Sequence, residues 1–127
     1  MSKCVVIGVT GGIAVYKALD VISALRKKDI EVHVIMTESA SKFVNPLTFQ
    51  SISQNMVVTD MFAEPKAWEI QHISLAQKAD LMLVAPATAN IIGKISNGIA
   101  DDMLSTTIMA TKAKVLKIGR ASCRERV

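Results

Sequence analysis

The stretch Cys4-Val5-Val6-Ile7-Gly8-Val9-Thr10-Gly11-Gly12-Ile13 decides how this chain is read. Its first part, 4–7, is short and apolar on both faces, the composition of a strand buried in a parallel sheet. The glycine-rich part, 8–13, leads into Ile13, Leu19, Ile22 and Leu25, which recur at helical spacing up to Arg26-Lys27-Lys28-Asp29. Cations there suit the negative end of the helix dipole. A second apolar run, 31–36, completes a βαβ unit of about thirty residues, the size of a right-handed crossover.

Outward from this unit, 81–85 and 114–116 read as two further buried strands, and Val57-Val58 as a short edge strand. Helices are predicted near Thr37 or Ser39, over 47–53 after Asn45-Pro46, from His72 to Ala79-Asp80, and over 103–111. The alternation gives an α/β chain: a doubly wound, Rossmann-like (flavodoxin-like) parallel sheet with helices on both faces. Ligands of such sheets bind beyond the carboxyl ends of the strands.

The chain has 127 residues, 50% of them apolar, and a mean hydropathy of +0.35, which fits one packed domain. Its longest strongly apolar run, Leu81 to Ala85, is too short to span a bilayer. No signal-peptide pattern precedes the glycine turn, so a cytoplasmic protein is expected, with no membrane partner. The two cysteines, Cys4 and Cys123, are too few for a disulfide framework or a metal knuckle, and no metal site is expected. The net charge of +4 invites a nucleic-acid reading, but residues 117–127 carry four of the fifteen basic residues and one of the eleven acids. Residues 1–116 keep eleven basic against ten acidic residues, and no nucleic-acid partner is expected. The segment 117–127 reads as the in-frame translation of a sequencing adapter. The expected division is a native domain fragment over 1–116, missing its C-terminal elements, and a non-native tail over 117–127.

Three segments offer chemistry at strand ends. Thr10, Gly11 and Gly12 form a G-x-x-G-G turn, in which bare backbone can approach a phosphate facing the helix N–H groups. The spacing is neither the dinucleotide fingerprint nor a P-loop with its lysine. Thr37 and Ser39 flank Glu38 after the second strand; their hydroxyls suit a phosphate, or alternatively cap a helix. Thr88, Ala89 and Asn90 follow Pro86, where small residues admit a flat ligand and Thr88 and Asn90 bring hydrogen-bonding groups. Asp101 and Asp102 read as caps of the next helix. His33, between Val32 and Val34, reads as a satisfied core residue, and His72 as either ordinary surface or a general base.

Together these blocks resemble the homo-oligomeric flavin-containing cysteine decarboxylases. The resemblance is carried by Thr10-Gly11-Gly12-Ile13-Ala14-Val15-Tyr16-Lys17, Val34-Ile35-Met36-Thr37-Glu38-Ser39-Ala40 and Phe43-Val44-Asn45-Pro46-Leu47-Thr48-Phe49. His72-Ile73, Ala85-Pro86-Ala87-Thr88-Ala89-Asn90 and Asn97-Gly98-Ile99-Ala100-Asp101-Asp102-Met103-Leu104 complete it. It covers residues 3–116 and is strongest to the flavoprotein half of bacterial bifunctional phosphopantothenoylcysteine decarboxylase/phosphopantothenate–cysteine ligases.

The resemblance implies an FMN-dependent carboxy-lyase of coenzyme A biosynthesis, converting 4′-phosphopantothenoylcysteine to 4′-phosphopantetheine. It implies FMN bound by Thr10, Gly11, Gly12, Thr37 and Ser39 at the phosphate and ribityl groups, and by Thr88, Ala89 and Asn90 at the ring. His72 matches the catalytic base. Thr88 stands for the family's serine and keeps its hydroxyl, whereas Ile91 stands for a threonine and removes one. The family's downstream substrate-gripping asparagine and proton-donating cysteine are missing; neither Cys4 nor Cys123 takes the second role. The intact parent is therefore expected to be a trimeric or dodecameric enzyme, and this chain alone to be inactive or nearly so. A peptidyl-cysteine decarboxylase, a prenyl-FMN synthase, a non-catalytic FMN-binding regulatory subunit and a flavin-free nucleotide module remain as alternatives.

Overall fold

The computed structural model describes residues 3–11, 15–55, 57–59, 74–85, 89–99 and 103–117. In chain order its elements are β1 (Cys4–Val9), α1 (Val15–Lys27), β2 (Glu31–Met36), α2 (Glu38–Ser41), α3 (Pro46–Ser53) and β3 (Val58–Thr59). They continue with α4 (74–78), β4 (Leu81–Val84), α5 (Ala89–Asn97), α6 (Met103–Ala110) and β5 (Lys114–Lys117). The strands form one sheet in the order β3-β2-β1-β4-β5, every pair parallel. This is a doubly wound parallel sheet, the class expected from the sequence, with the first two strands side by side.

Strand alternation divides the apolar residues between two cores. Val5, Ile7 and Val9 of β1, Val32, Val34 and Met36 of β2, and Leu83 of β4 face Val15, Ala18, Ile22 and Phe49 of α1 and α3. Cys4, Val6, Ile35, Met82 and Val84 face Leu75, Ile91, Leu104 and Ile108 of α4, α5 and α6. Both faces are thus covered by helices, which is why β1 and β4 lack a polar side and β2 carries polar residues only at Glu31 and His33, near its start.

Local chemistry sets the element ends. Asn45 Oδ1 accepts from Leu47 N at 2.9 Å, and Pro46 opens α3, where its missing N–H costs nothing. At the end of α1, Ile30 N donates to Leu25 O at 3.1 Å, with Asp29 in the left-handed region at φ 64°. That is a Schellman-type stop built without glycine. Along the open edge of β2, Asn55 Nδ2 donates to Val32 O at 2.7 Å, because the two-residue β3 pairs only with Ile35 and Met36.

Several boundaries differ from the sequence expectation. Gly8 and Val9 belong to β1, not to the turn, because Gly8 pairs with both Ile35 and Val84. A side chain at Gly8 would run into Leu104 of α6, so this glycine lets a helix lie close to the sheet. β3 falls at Val58–Thr59, one residue later than Val57-Val58, and β5 reaches Lys117, one residue past the expected end. α5 is a helix that the sequence reading of 86–91 as a ligand-lining segment does not assign. His33 is satisfied as expected, but at the rim and not in the core: Glu31 and His33 are half-buried while Val32 and Val34 are buried. The short β3 leaves that part of β2 without a strand beside it. No helix among the described residues is long and apolar enough to cross a membrane.

Candidate functional site

The site expected from the sequence lies where the chain reverses its direction of travel across the sheet. From β1 it moves outward through β2 to β3, and then crosses to β4 on the other side of β1. The carboxyl ends of β1, β2 and β4 therefore converge at a topological switch point. Two hydrogen bonds carry the pairing past the strand ends. Thr37 N donates to Val9 O at 3.0 Å, and Ala85 N donates to Gly8 O at 2.9 Å. They set the segments after β2 and β4 on either side of the turn after β1.

Within this junction Thr10 is buried, with 3% of its surface exposed, and Gly11 is half-buried. A Cβ added to Gly11 would lie 2.7 Å from Ser39 Cβ and 3.4 Å from the Ser39 carbonyl carbon. Real Cβ atoms do not approach so closely, so only glycine lets the turn rest against Ser39. Thr37 sits at the N-cap of α2 with extended backbone (φ −76°, ψ 163°), and its Oγ1 accepts from Ala40 N at 3.2 Å. The capping role is therefore real. Ser39 and Glu38 are exposed, at the rim of the junction.

The structure thus brings together Thr10, Gly11, Thr37 and Ser39. Ala89 and Asn90 open α5, which starts shortly after the Ala85–Gly8 bond, and so lie at the same end of the sheet, beyond β4. Ile91, one residue on, is buried in the second core at 2% exposure, where a hydroxyl would have no use. Gly12, His72, Thr88, Asp101 and Asp102 lie outside the described residues.

The donor set fits a phosphate-bearing cofactor such as FMN. A glycine backbone pressed against a serine leaves peptide N–H and hydroxyl groups, and no bulky side chain, where a phosphate would approach the start of α1. Gly8, which lies in β1 beneath Leu104 of α6, is the glycine that the sequence reading misplaces. The signal was present: an isolated glycine inside a strand marks close approach of another element.

A different cluster occupies the amino end of the sheet. Glu31 Oε2 accepts from Lys78 Nζ at 2.7 Å and lies 2.5 Å from His33 Nε2. The Lys78 bond, then the His33 bond, hold the Glu31 carboxyl below its usual range, and Glu31 in turn raises Lys78. Burial, followed by the nearby Glu31 charge, pushes the Cys4 thiol up to about 11. Asp80 clamps the same strand start: its Oδ2 accepts from Cys4 N at 2.7 Å, and its own N donates to Cys4 O at 2.8 Å.

Comparison with known proteins places this architecture. The chain is 57% identical over 114 residues to the coenzyme A biosynthesis bifunctional protein CoaBC of Bacillus subtilis (strain 168). The match covers 90% of this chain and 28% of that protein, so the chain spans little more than a quarter of the relative. Among solved structures, it superposes on the FMN-dependent cysteine decarboxylase SpaF with a TM-score of 0.81 and 27% identity, over 92% of this chain and 67% of that one. Against the peptidyl-cysteine decarboxylase EpiD the TM-score is 0.79 with 28% identity, over 94% and 71% of the two chains. The sequence profile described as Flavoprotein matches residues 1–118, and the chain belongs to the Flavoprotein family.

Proposed function

We propose that residues 1–116 form the FMN-binding domain of an enzyme that decarboxylates 4′-phosphopantothenoylcysteine to 4′-phosphopantetheine. The observation that carries this reading is the contact of the Gly11 turn with Ser39 at the switch point, in a chain 57% identical to a coenzyme A biosynthesis protein. Gly11 and Gly12 present backbone to the FMN phosphate, and Thr10, buried before them in the chain, belongs to the same turn. Thr37 holds the start of α2 in place through its bond to Ala40, so that Ser39 can offer its hydroxyl. Thr88, Ala89 and Asn90 line the flavin ring from beyond β4.

FMN bound here would supply a two-electron acceptor for the cysteinyl side chain. Oxidation of a CH2–SH group to a thioaldehyde also releases the thiol proton, and the imidazole of His72 takes it. An imidazole with a pKa of about 6.5 is largely unprotonated at neutral pH, so it needs little tuning for that task. Loss of carbon dioxide from the acid β to the thioaldehyde would leave its electrons there as an enethiolate. The two electrons first passed to the cofactor, together with two protons, would then be returned to give the product thiolate and the oxidised flavin.

The same proposal includes a cytoplasmic enzyme that assembles as a homo-oligomer. Supporting assembly, Tyr16, Phe43 and Leu47 expose 53%, 44% and 63% of their surfaces, and the Tyr16 hydroxyl donates to Phe43 O at 3.1 Å. A peptidyl-cysteine decarboxylase is the second reading, favoured by the likeness to EpiD. Two measurements test the proposal: FMN titration of the apoprotein, and carbon dioxide release by the intact protein containing this domain. The expected results are tight FMN binding, and turnover of 4′-phosphopantothenoylcysteine in preference to a cysteine-terminated peptide. His72→Asn should keep FMN and abolish turnover. Absence of FMN binding would refute the cofactor, a preference for the peptide would select the second reading, and an active His72→Asn would remove His72 from the mechanism.

A further inference from the structure

We infer that Cys4, Glu31 and His33 form a binding site for a divalent cation of the zinc type, at the end of the sheet opposite the glycine turn. The parallel register sets Cys4 beside Glu31 and Val6 beside His33. Strand alternation turns Cys4, Glu31 and His33 to one face, the face that carries Val6 and Ile35 into the second core. The Cys4 sulfur, a Glu31 carboxylate oxygen and a His33 ring nitrogen all lie within 4.8 Å of one another. Bond lengths of about 2.0–2.3 Å put ligand atoms on a tetrahedral zinc about 3.3–3.8 Å apart. The wider separations therefore need to draw in by about an ångström, while the Glu31–His33 hydrogen bond, at 2.5 Å, opens so that both groups can take the ion.

The chemistry of the donors selects the ion. A thiolate and an imidazole favour zinc over magnesium or calcium, and three protein ligands leave the fourth position to water. The place of a cation is already marked: Glu31 Oε2 accepts from the Lys78 ammonium, whose side chain is 47% exposed on a flexible stem. A dication takes over the Glu31 oxygen, Lys78 swings into solvent, and the Cys4 thiol proton leaves to buffer as the Cys4 sulfur–metal bond forms. Asp80 stays beyond the ligands, fixing the Cys4 backbone from both sides. From Cys4 to the end of β1 is five residue steps, about 17 Å at 3.3 Å per residue, so the site is independent of FMN and of the proposed reaction.

Cobalt(II) titration of the metal-free 127-residue chain carrying Cys123→Ser tests this, because Cys4 is then its sole thiol. We expect a thiolate-to-cobalt charge-transfer band that saturates at one equivalent and is displaced by zinc. Cys4→Ser, nearly isosteric, should abolish the band. His33→Gln, at a half-buried edge and checked for folding by circular dichroism, should weaken binding by about tenfold or more. Lys78→Met, which removes the competing ammonium, should strengthen it. A metal-free spectrum throughout, a band unchanged in Cys4→Ser or His33→Gln, or weaker binding in Lys78→Met would overturn the site.

Discussion

Gly11, in the turn after β1, and Ser39, in the first turn of α2, meet so closely that a methyl group on Gly11 would stand 2.7 Å from the Ser39 Cβ. The turn after β1 and the first turn of α2 are thereby locked face to face at the carboxyl edge of the sheet. The site's shape depends on the smallness of both residues.

Gly11→Ala should destabilise the fold by about 1–3 kcal/mol, the usual cost of overpacking, and weaken FMN binding. Ser39→Gly in the same chain removes the Cβ that the new methyl meets. Urea denaturation of both single variants and the double variant should show positive coupling, the double being more stable than additivity predicts. Additive effects would mean that the two residues do not share this contact.

Thr37 holds α2 through its bond to Ala40 N. Thr37→Val keeps the shape and loses the acceptor, so it should cost about 1 kcal/mol, the typical worth of an N-cap. Thr37→Ser should be close to neutral. Thermal melts compare the two, and FMN affinity should follow the same order if α2 must be held for Ser39 to face the cofactor.

Gly8→Ala places a methyl group against the Leu104 side chain, which is 1% exposed and would have to shift within the second core. A loss of about 1–3 kcal/mol is expected from overpacking. The double variant with Leu104→Ala should recover part of the roughly 2–5 kcal/mol that the leucine truncation costs alone. Chemical denaturation of the three variants measures this.

The Glu31–Lys78 pair gives a signed pH dependence. Folding lowers the Glu31 pKa, chiefly through the Lys78 hydrogen bond, so its contribution is present above the unfolded value of about 4.3 and lost as pH falls through the lower folded value. Folding raises Lys78, so its contribution is complete below about pH 10.4 and lost as pH rises through the higher folded value. Both groups are partly exposed, so the pair should contribute no more than about 1 kcal/mol. Denaturation midpoints followed into acid should fall less steeply for Glu31→Gln than for the parent. An unchanged acid slope would show that the pair adds no pH-dependent stability.

Much of the fold could be read before any coordinates. The runs 4–7 and 81–85 lack a polar alternation, which specifies strands covered on both faces, whereas 31–36 carries Glu31 and His33 on one side of its first half and is apolar throughout only from Val34 on. Asn45-Pro46 announced α3, and Arg26-Lys27-Lys28-Asp29 the end of α1, because caps and stops are local chemistry. α5 was missed because its first residues, Ala89 and Asn90, lie in a segment whose small residues also suit a ligand wall. Gly8 reads as part of the turn because it lies only two residues before Thr10-Gly11-Gly12, which conceals that it is the one under a helix. Thr10, Gly11, Thr37 and Ser39 were legible as a group because a βαβ crossover places neighbouring strand ends together.

The sequence alone determined the parallel sheet, its crossover and the polar groups available at the strand ends, since these follow from periodicity and local backbone preference. Tertiary structure decided which distant residues touch. Register aligned Cys4 with Glu31 and Val6 with His33, and the packing of the β1 turn on α2 seated Gly11 against Ser39. Pairing register is fixed by how two whole faces bury together, and no short stretch of sequence carries that energy by itself.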